Sequence, residues 1–169
     1  MRETDTFEQI YSENYEGIYG FIFKMCNDSD LCDELTQECF FQAFISLHRY
    51  NGSCEIFTWL AAIAKNVYFK YLRKHSRCPV AYELLADELE YSGDSPEALA
   101  EREDLCGKVR EIIMGLRPNY RDVILLRVYG ELPFSQIAEA LKITENSAKV
   151  IFFRAKNAIR EEIENENIL

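Results

Sequence analysis

Apolar side chains recur at intervals of three and four residues along most of the chain, which is the spacing of helices that bury one face. The clearest case lies at about 55–74, where one stripe consists of Ile56, Leu60, Ile63, Ala64, Val67 and Tyr71. Only 7 glycines and 4 prolines interrupt the 169 residues, and alternating runs rich in valine, threonine and glycine are missing. The pattern predicts an all-α fold and argues against a β-sandwich or β-barrel.

The helices fall into two groups, from which we predict two small helical domains. Helices at about 6–26, 30–48 and 55–74 form the first group, and the turn Asn27-Asp28-Ser29-Asp30 supplies a capping residue. Residues 75–95 contain a proline, a glycine and most of an acidic run, which indicates a linker with a short helix at 81–90. The second group begins at Ser95-Pro96. The predicted boundaries are 1–76 for the first domain, 77–95 for the acidic linker and 96–169 for the second domain.

The net charge of −10 is unevenly distributed. Residues 1–48 carry 10 acidic and 2 basic side chains, and residues 80–104 carry 9 acidic and 1 basic. By contrast, residues 49–79 carry 6 basic and 1 acidic side chains, and residues 105–169 carry 10 basic and 9 acidic. Because electrostatic attraction is screened beyond about 10 Å in salt, an acidic chain that binds nucleic acid must confine its positive charge to local faces.

Cysteine and histidine do not form a recognisable metal site in the sequence. The six cysteines contain no CxxC motif, and neither His48 nor His75 completes a zinc-ligand spacing. We interpret the cysteines as small, partly buried apolar residues in a reducing compartment. Redox sensing and metal binding remain alternatives, since Cys26, Cys32 and Cys39 lie near one turn.

The sequence lacks the residues that several classes of function require. No phosphate-binding loop and no Ser/His/Asp or Cys/His set stands out, so we expect no enzymatic activity, cofactor, metal or small-molecule substrate. No apolar stretch of about 18 residues exists, and the charged N-terminus lacks the apolar core of a signal peptide. We therefore expect a cytoplasmic protein.

Residues 133–160 fit a helix-turn-helix that follows a helix from Pro118 to Gly130. A helix from Pro133 to Leu141 precedes a turn of about four residues and a last helix from about 145 to 165. Thr144 is expected to cap the last helix and Ile143 to enter the core. The residues expected to pack on the preceding helix are Ala148, Phe152, Ala155 and Ile159.

The opposite face of the last helix combines polar, apolar and basic side chains. Residues 142–160 carry 5 basic side chains and 1 acidic, a layout that suits a helix in the DNA major groove. A solvated basic face is one alternative, and a protein-contact patch around Val150 and Phe153 is another. The face consists of Asn146, Val150, Phe153, Arg154 and Asn157, flanked by Lys149, Lys156 and Arg160.

Two further surfaces belong to the first domain. The third helix combines aromatics with cations opposite its apolar stripe, which suits unstacked single-stranded bases; this face consists of Ala62, Lys65, Asn66, Phe69, Lys70 and Arg73, with Trp59 at its margin. The second helix carries a polar stripe suited to a partner helix, made of Glu34, Gln37, Glu38 and Phe41. The alternatives are that Trp59 belongs to the core, and that both polar faces are merely solvated.

Four fragments in order resemble the sigma-70 superfamily, specifically its extracytoplasmic-function (ECF) group. Glu34-Leu35-Thr36-Gln37-Glu38 resembles the DLTQE motif of region two, and Thr58-Trp59-Leu60 with Ile63-Ala64-Lys65-Asn66 resembles TWLYRIAxN. Leu116-Arg117-Pro118 with Leu125-Leu126-Arg127 resembles the LP…LLR entry to region four. Ile137-Ala138-Glu139-Ala140-Leu141, followed by Ser147-Ala148-Lys149 and Arg154-Ala155, resembles the family's helix-turn-helix. The resemblance covers about 7–74 and 96–163.

The resemblance implies a promoter-specificity subunit of bacterial RNA polymerase, with three binding surfaces. The polar stripe of the second helix, Glu34, Gln37, Glu38 and Phe41, would bind the coiled coil of the β′ subunit of the core enzyme. The opened minus-ten element would be held by Tyr50, Asn51, Ser53, Cys54, Trp59, Lys65, Asn66, Lys70 and Arg73. The duplex minus-thirty-five element would be contacted by Thr144, Asn146, Ser147, Lys149, Val150, Phe153, Arg154 and Lys156. The family also implies a contact with the β flap and an anti-sigma factor, usually membrane-anchored, as inhibitor.

The chain departs from the family pattern at residues that bear on promoter choice. Asn51 stands where arginine is frequent, Cys54 where serine is common, and Ala62 where arginine is usual. Lys142 replaces a turn glycine, and Val150 and Ile151 replace serine and arginine. Cys54 is therefore the thiol to test for redox control. The alternative class is a stand-alone helix-turn-helix regulator, which would leave the 34–38 stripe without a role; a purely structural interaction protein is a further alternative.

Overall fold

The computed structural model describes the backbone of residues 3–75, 108–109, 111–113 and 115–165, with most side chains in these ranges. Its helices are α1 (Glu3–Cys26), α2 (Ser29–Ser46), α3 (Ile56–His75), α4 (Pro118–Val128), α5 (Phe134–Leu141) and α6 (Glu145–Asn165), with a 3-10 turn at Leu47–Arg49. Residues 108–109, 111–113 and 115 are also helical. These ranges contain no strand, which confirms the all-α prediction. The expected linker, its helix at 81–90 and the helix start at Ser95-Pro96 lie outside them.

The first three helices form a bundle with one core. Asp28 caps α2 as expected, because its carboxylate accepts a hydrogen bond of 3.0 Å from the Leu31 amide. The Tyr68 hydroxyl donates to the Met25 carbonyl at 3.0 Å, which satisfies the phenol inside the bundle. The fully buried core includes Ile18, Ile22, Met25, Leu60, Ala61, Ala64 and Tyr68.

Helices α4, α5 and α6 form the second unit. The chain turns sharply after α4, and Gly130 is required there because a Cβ at this position would lie 2.7 Å from the Leu126 carbonyl oxygen. Glu131 then adopts the left-handed conformation with φ of 53°. The core of this unit includes Val123, Ile124, Leu126, Ile137, Ala148 and Ala155.

Helix α3 is covered from two sides, because it contacts α1 and α2 and also α4 and α5. The prediction that Lys65 and Phe69 lie on an exposed face is therefore wrong: they are 4% and 6% exposed. Asn66 and Lys70 are exposed as predicted, and the side chain of Arg73 lies outside the described residues. Among the described helices, none has both the length and the apolar character needed to cross a membrane.

Candidate functional site

A groove separates α2 from the C-terminal half of α3. Its α2 wall is the predicted polar stripe, in which Glu34 and Gln37 are exposed and Phe41 is 57% exposed. The groove has a volume of about 430 Å³ and is lined by Glu34, Leu35, Gln37, Glu38, Phe41, Val67, Lys70, Tyr71 and Lys74. Acidic groups on one wall thus face lysines on the other, with an apolar ring at one end. Lys70, predicted for the minus-ten surface, shares this groove with the predicted polymerase-binding residues.

One side chain of the stripe, that of Glu38, is held by a hydrogen bond within α2. The Gln42 amide donates to the Glu38 carboxylate at 2.9 Å, and Glu38 is half-buried. Leu35, Thr36, Cys39 and Phe40 are buried, and Leu35 also lines the groove. Phe44 and Ile45 near the end of α2 are also exposed, which the sequence pattern did not identify.

The loop before α3 is ordered by its own side chains. The Asn51 side-chain oxygen accepts from the Ser53 amide at 3.1 Å, and Gly52 between them has a φ of 72°. The Tyr50 hydroxyl donates to the Cys54 carbonyl. The Tyr50 and Trp59 ring centroids lie 5.1 Å apart. Trp59 is half-buried, so the predicted loop residues and Trp59 come together at one edge of α3.

The described thiols are not activated. Burial, followed by the charges of Glu139 and Glu55, raises the pKa of the Cys54 thiol. Burial also raises the pKa of Cys32 and of Cys39 to about 12. A thiol with a raised pKa stays protonated at neutral pH and reacts slowly, which supports the packing interpretation of these cysteines. Within the described ranges, no group of three or more His, Cys, Asp or Glu residues is placed to hold a metal ion.

Lys65 faces the second domain. Its ammonium lies 2.9 Å from the Asp122 carboxylate on α4 and donates to the Asn66 side-chain oxygen at 3.0 Å. Next to this pair, the Arg121 guanidinium lies 4.1 Å from the centroid of the Phe69 ring. Two residues of the predicted nucleic-acid face of α3, Lys65 and Phe69, are thus engaged by α4.

Gln136 on α5 makes a second bridge between the domains. Its side-chain oxygen accepts from the Glu55 amide at 3.1 Å and from the Thr58 hydroxyl at 3.2 Å. Sequence reasoning missed Gln136 and Asp122, because a polar residue on a predicted helix carries no signal of which distant segment it meets. At the edge of the contact, Lys24 pairs with Glu131 at 2.7 Å.

The turn of the helix-turn-helix is a three-residue Schellman motif. The Ile143 amide donates to the Ala138 carbonyl at 2.9 Å and the Lys142 amide to the Glu139 carbonyl at 3.3 Å. Lys142 has φ of 56° and ψ of 44°, so it occupies the left-handed position that glycine favours. Thr144 caps α6 as predicted, because its hydroxyl accepts from the Ser147 amide at 3.1 Å.

Helix α6 buries and exposes the faces that the sequence predicts. Ala148, Ala155 and Ile159 are buried, and Phe152 meets Phe134 of α5 edge to face with centroids 5.5 Å apart. On the opposite face, Val150 is 39% and Phe153 61% exposed. Asn146, Arg154 and Asn157 are exposed beside them, Lys149 pairs with Glu145 at 2.6 Å, and Lys156 and Ser147 are half-buried.

Comparison with known families gives two matches along the chain. Residues 10–78 match sigma-70 region 2, and residues 106–159 match sigma-70 region 4. The ECF RNA polymerase sigma factor SigM of Bacillus subtilis is 29% identical over 157 residues, which cover 92% of this chain and 93% of SigM. The ECF RNA polymerase sigma-E factor of Escherichia coli is 30% identical over 139 residues, which cover 78% of this chain and 73% of that protein.

Solved structures share the fold. CnrH, in complex with the cytosolic domain of CnrY, superimposes with a TM-score of 0.60 at 15% identity, over 96% of this chain and 90% of CnrH. The sigma factor RpoE of Bartonella quintana, in complex with the anti-sigma factor NepR, superimposes with a TM-score of 0.55 at 16% identity, over 94% of this chain and 97% of RpoE. With a region 2 bundle, a region 4 helix-turn-helix and full-length relatives of one kind, the chain belongs to the ECF group of the sigma-70 family and is a sigma factor that directs RNA polymerase to promoters for transcription initiation.

Proposed function

We propose that this sigma factor recognises promoters through three surfaces, each with a different binding partner. The groove between α2 and α3 binds the β′ coiled coil of core polymerase, the 50–55 loop with the exposed part of α3 holds the opened minus-ten strand, and α6 contacts the minus-thirty-five duplex. The domain boundaries that we propose are 1–76 and 96–169, with 77–95 as the acidic linker. The protein would act in the cytoplasm, where bacterial polymerase works.

The geometry of α6 is the observation that carries this proposal. Ala148 and Ala155 bury one face, on which Phe152 meets Phe134 of α5, while Phe153, Val150 and Arg154 are exposed on the other. A helix in the major groove can contact thymine methyls through apolar side chains, and phosphates and base edges through cations and amides. We assign the other predicted residues of this surface to the minus-thirty-five element as well: Thr144, Asn146, Ser147, Lys149 and Lys156.

Energetics explain why such a protein needs the polymerase. Stacking or pocketing one base contributes about 1–3 kcal/mol, whereas unpairing and unstacking a base costs a few kcal/mol. One loop and one tryptophan therefore trap a strand that the larger enzyme separates and do not open DNA alone. The net charge of −10 further suppresses nonspecific binding of the free chain to DNA.

We propose an anti-sigma factor as the natural inhibitor. The support is the exposed apolar pair Val150 and Phe153, which a protein partner would cover. Both superimposed structures, RpoE with NepR and CnrH with CnrY, are complexes with a second protein. Substituting both residues should weaken inhibitor binding; unchanged binding would remove them from that interface.

Run-off transcription tests the proposed function directly. Purified full-length chain is added to core polymerase on a library of promoter fragments, and transcripts are sequenced. We expect transcripts that share minus-ten and minus-thirty-five elements and that disappear when the chain is omitted. Failure to bind core polymerase in a pull-down, with tight binding of the lone chain to duplex DNA, would instead identify a stand-alone helix-turn-helix regulator.

A further inference from the structure

The 50–55 loop contains the chain's only asparagine that precedes a glycine, Asn51 before Gly52. Both residues and the following Ser53 are exposed, and none of the three belongs to a helix. Gly52 has a φ of 72°, and a Cβ built on it would meet no atom within 4 Å. The peptide bond between Asn51 and Gly52 is therefore open to water.

One hydrogen bond holds the Asn51 side chain next to this peptide bond. Its carboxamide oxygen accepts from the Ser53 amide at 3.1 Å, which folds the side chain back over Gly52. The same donor stabilises the negative charge that develops on that oxygen when a nucleophile attacks the carboxamide carbon. Among the described residues, the Gly52 backbone amide has no hydrogen-bond partner, so no bond between them must break before its nitrogen approaches that carbon.

We propose that Asn51 is a self-modification site, at which the side-chain amide is slowly hydrolysed through a ring closed onto the Gly52 nitrogen. The Gly52 nitrogen bonds to the Asn51 side-chain carbon (Cγ), the Cγ–Nδ2 bond breaks, and ammonia leaves with the proton of the Gly52 amide. Water then opens the five-membered imide at either carbonyl, which gives aspartate or isoaspartate. One water is consumed and one ammonia is released, with no change of oxidation state.

Three other exposed asparagines do not have this geometry, because they lie within helices: Asn66 on α3, and Asn146 and Asn157 on α6. In a helix, the backbone is fixed by its own hydrogen bonds, so the next main-chain nitrogen cannot turn towards the asparagine side chain. After Asn146, the Ser147 amide is also engaged, because it donates to the Thr144 hydroxyl oxygen at 3.1 Å. Only Asn51 is followed by a residue without a Cβ to hinder the attack.

The product carries a carboxylate in the loop that we assign to the opened minus-ten strand. An ionised carboxylate only accepts hydrogen bonds, whereas the Asn51 amide also donates them. A negative charge in this loop repels the phosphates of the strand, and isoaspartate also lengthens the backbone by one carbon. Promoter activity should therefore fall as the protein ages. This consequence rests on the proposed function, whereas the hydrolysis of Asn51 does not.

Mass spectrometry tests the modification on the full-length chain. The purified protein is incubated at about 37 °C, at about pH 6 and about pH 8, and its peptides are followed for the gain of about 1 Da that deamidation causes. We expect Asn51 to deamidate at least about tenfold faster than Asn66, Asn146 and Asn157. The rate should be higher at the higher pH, because the attack requires loss of the Gly52 amide proton. A rate at Asn51 no higher than at the helical asparagines would overturn the proposal.

Run-off transcription by fresh and aged samples tests the consequence. Asn51→Gln is the control, because its longer side chain cannot close the five-membered ring. Each protein is compared with its own fresh sample, so any direct effect of the substitution cancels. We expect the chain without substitution to lose at least about threefold of its core-dependent transcription on ageing. Fresh Asn51→Asp should show a similar defect, and Asn51→Gln should keep its fresh level.

Two results would overturn the effect on promoter activity. One is undiminished transcription by a sample in which Asn51 is fully deamidated, and the other is an equal loss on ageing in Asn51→Gln. Failure of the proposed function gives a different result, because the fresh chain without substitution then produces no core-dependent transcripts while Asn51 still deamidates.

Discussion

The Lys65 ammonium lies 2.9 Å from the Asp122 carboxylate and joins a helix of region 2 to a helix of region 4. The Lys65 side chain is 6% exposed and that of Asp122 is 21% exposed, so the pair is largely shielded from water. It is less exposed than the Lys24–Glu131 pair, whose side chains are 35% and 75% exposed.

Substituting one member of this pair should lower the free energy of unfolding more than substituting both. We expect Asp122→Leu to lower the free energy of unfolding by about 1–3 kcal/mol, because Lys65 is left without its counter-charge until the domains separate. Adding Lys65→Met should restore at least half of that loss. A double-mutant cycle in urea measures the coupling, and strictly additive effects of the two substitutions would contradict it.

Lys142→Gly should stabilise the helix-turn-helix by about 0.5–1 kcal/mol. A side chain with a Cβ is strained at φ of 56°, whereas glycine adopts this conformation freely. Lys142→Ala keeps the Cβ and is the control, for which we expect a change within a few tenths of a kcal/mol. Thermal unfolding of the full chain measures both variants, and a lower midpoint for the glycine variant would show that the lysine side chain makes a compensating contact.

Phe152 and Phe153 are neighbours with opposite expected phenotypes. Phe152→Ala should lower the free energy of unfolding by about 1–3 kcal/mol, because it removes the half-buried ring that meets Phe134. Phe153→Ala should leave stability within about 0.5 kcal/mol, because the ring is largely exposed. Instead, it should reduce initiation by the holoenzyme about three- to tenfold at promoters that depend on the minus-thirty-five element.

As a control, initiation by the Phe153→Ala variant is also measured on the same promoter truncated upstream of the minus-ten element, which removes the minus-thirty-five element. A Phe153→Ala defect that persists on the truncated promoter would remove Phe153 from minus-thirty-five recognition.

Charge reversal in the α2–α3 groove should prevent assembly with core polymerase. We expect Glu34→Lys with Glu38→Lys to weaken core binding at least about tenfold, which corresponds to about 1.4 kcal/mol. The matched control is Glu8→Lys with Glu16→Lys, which makes the same charge change at exposed positions of α1. Pull-down and run-off transcription measure the effect; initiation that survives the groove reversal unchanged would refute the assigned surface.

Stability should fall as pH rises above about 9 because thiols are buried. The pKa of Cys39 is raised from 9.0 to about 12 by burial, so between these values the unfolded chain releases a proton that the folded chain retains. The unfolded state then binds fewer protons, and stability decreases with pH by as much as about 1.4 kcal/mol per pH unit for this thiol. Its contribution is fully present below pH 9.

Urea unfolding at pH 8, 9 and 10 tests this dependence. Cys39→Ala should be less stable at pH 8, because it leaves a small cavity, but its stability should decline less steeply with pH. If the free energy of unfolding falls equally steeply with pH in the two proteins, groups other than Cys39 cause the loss of stability at alkaline pH.

The local sequence pattern was enough to predict the helices and to assign the buried and exposed faces of α6. The spacing of Ala148, Ala155 and Ile159, the Thr144 cap and the exposed Val150 and Phe153 all follow from a helix that buries one face, because each depends on residues within a few turns of one another. The same holds for the stripe Glu34, Gln37 and Phe41 on α2 and for the Asp28 cap.

Only the tertiary structure determined what the polar face of α3 contacts. The periodicity assigned Lys65 and Phe69 to solvent, yet Asp122 and Arg121 cover them, and Gln136 closes over Glu55 and Thr58. These partners are separated from α3 by the whole linker, and hydrophobic periodicity reports only that a face is polar. Whether a polar face meets water or a complementary charge depends on how the two domains dock, which is set by long-range contacts that no local pattern contains.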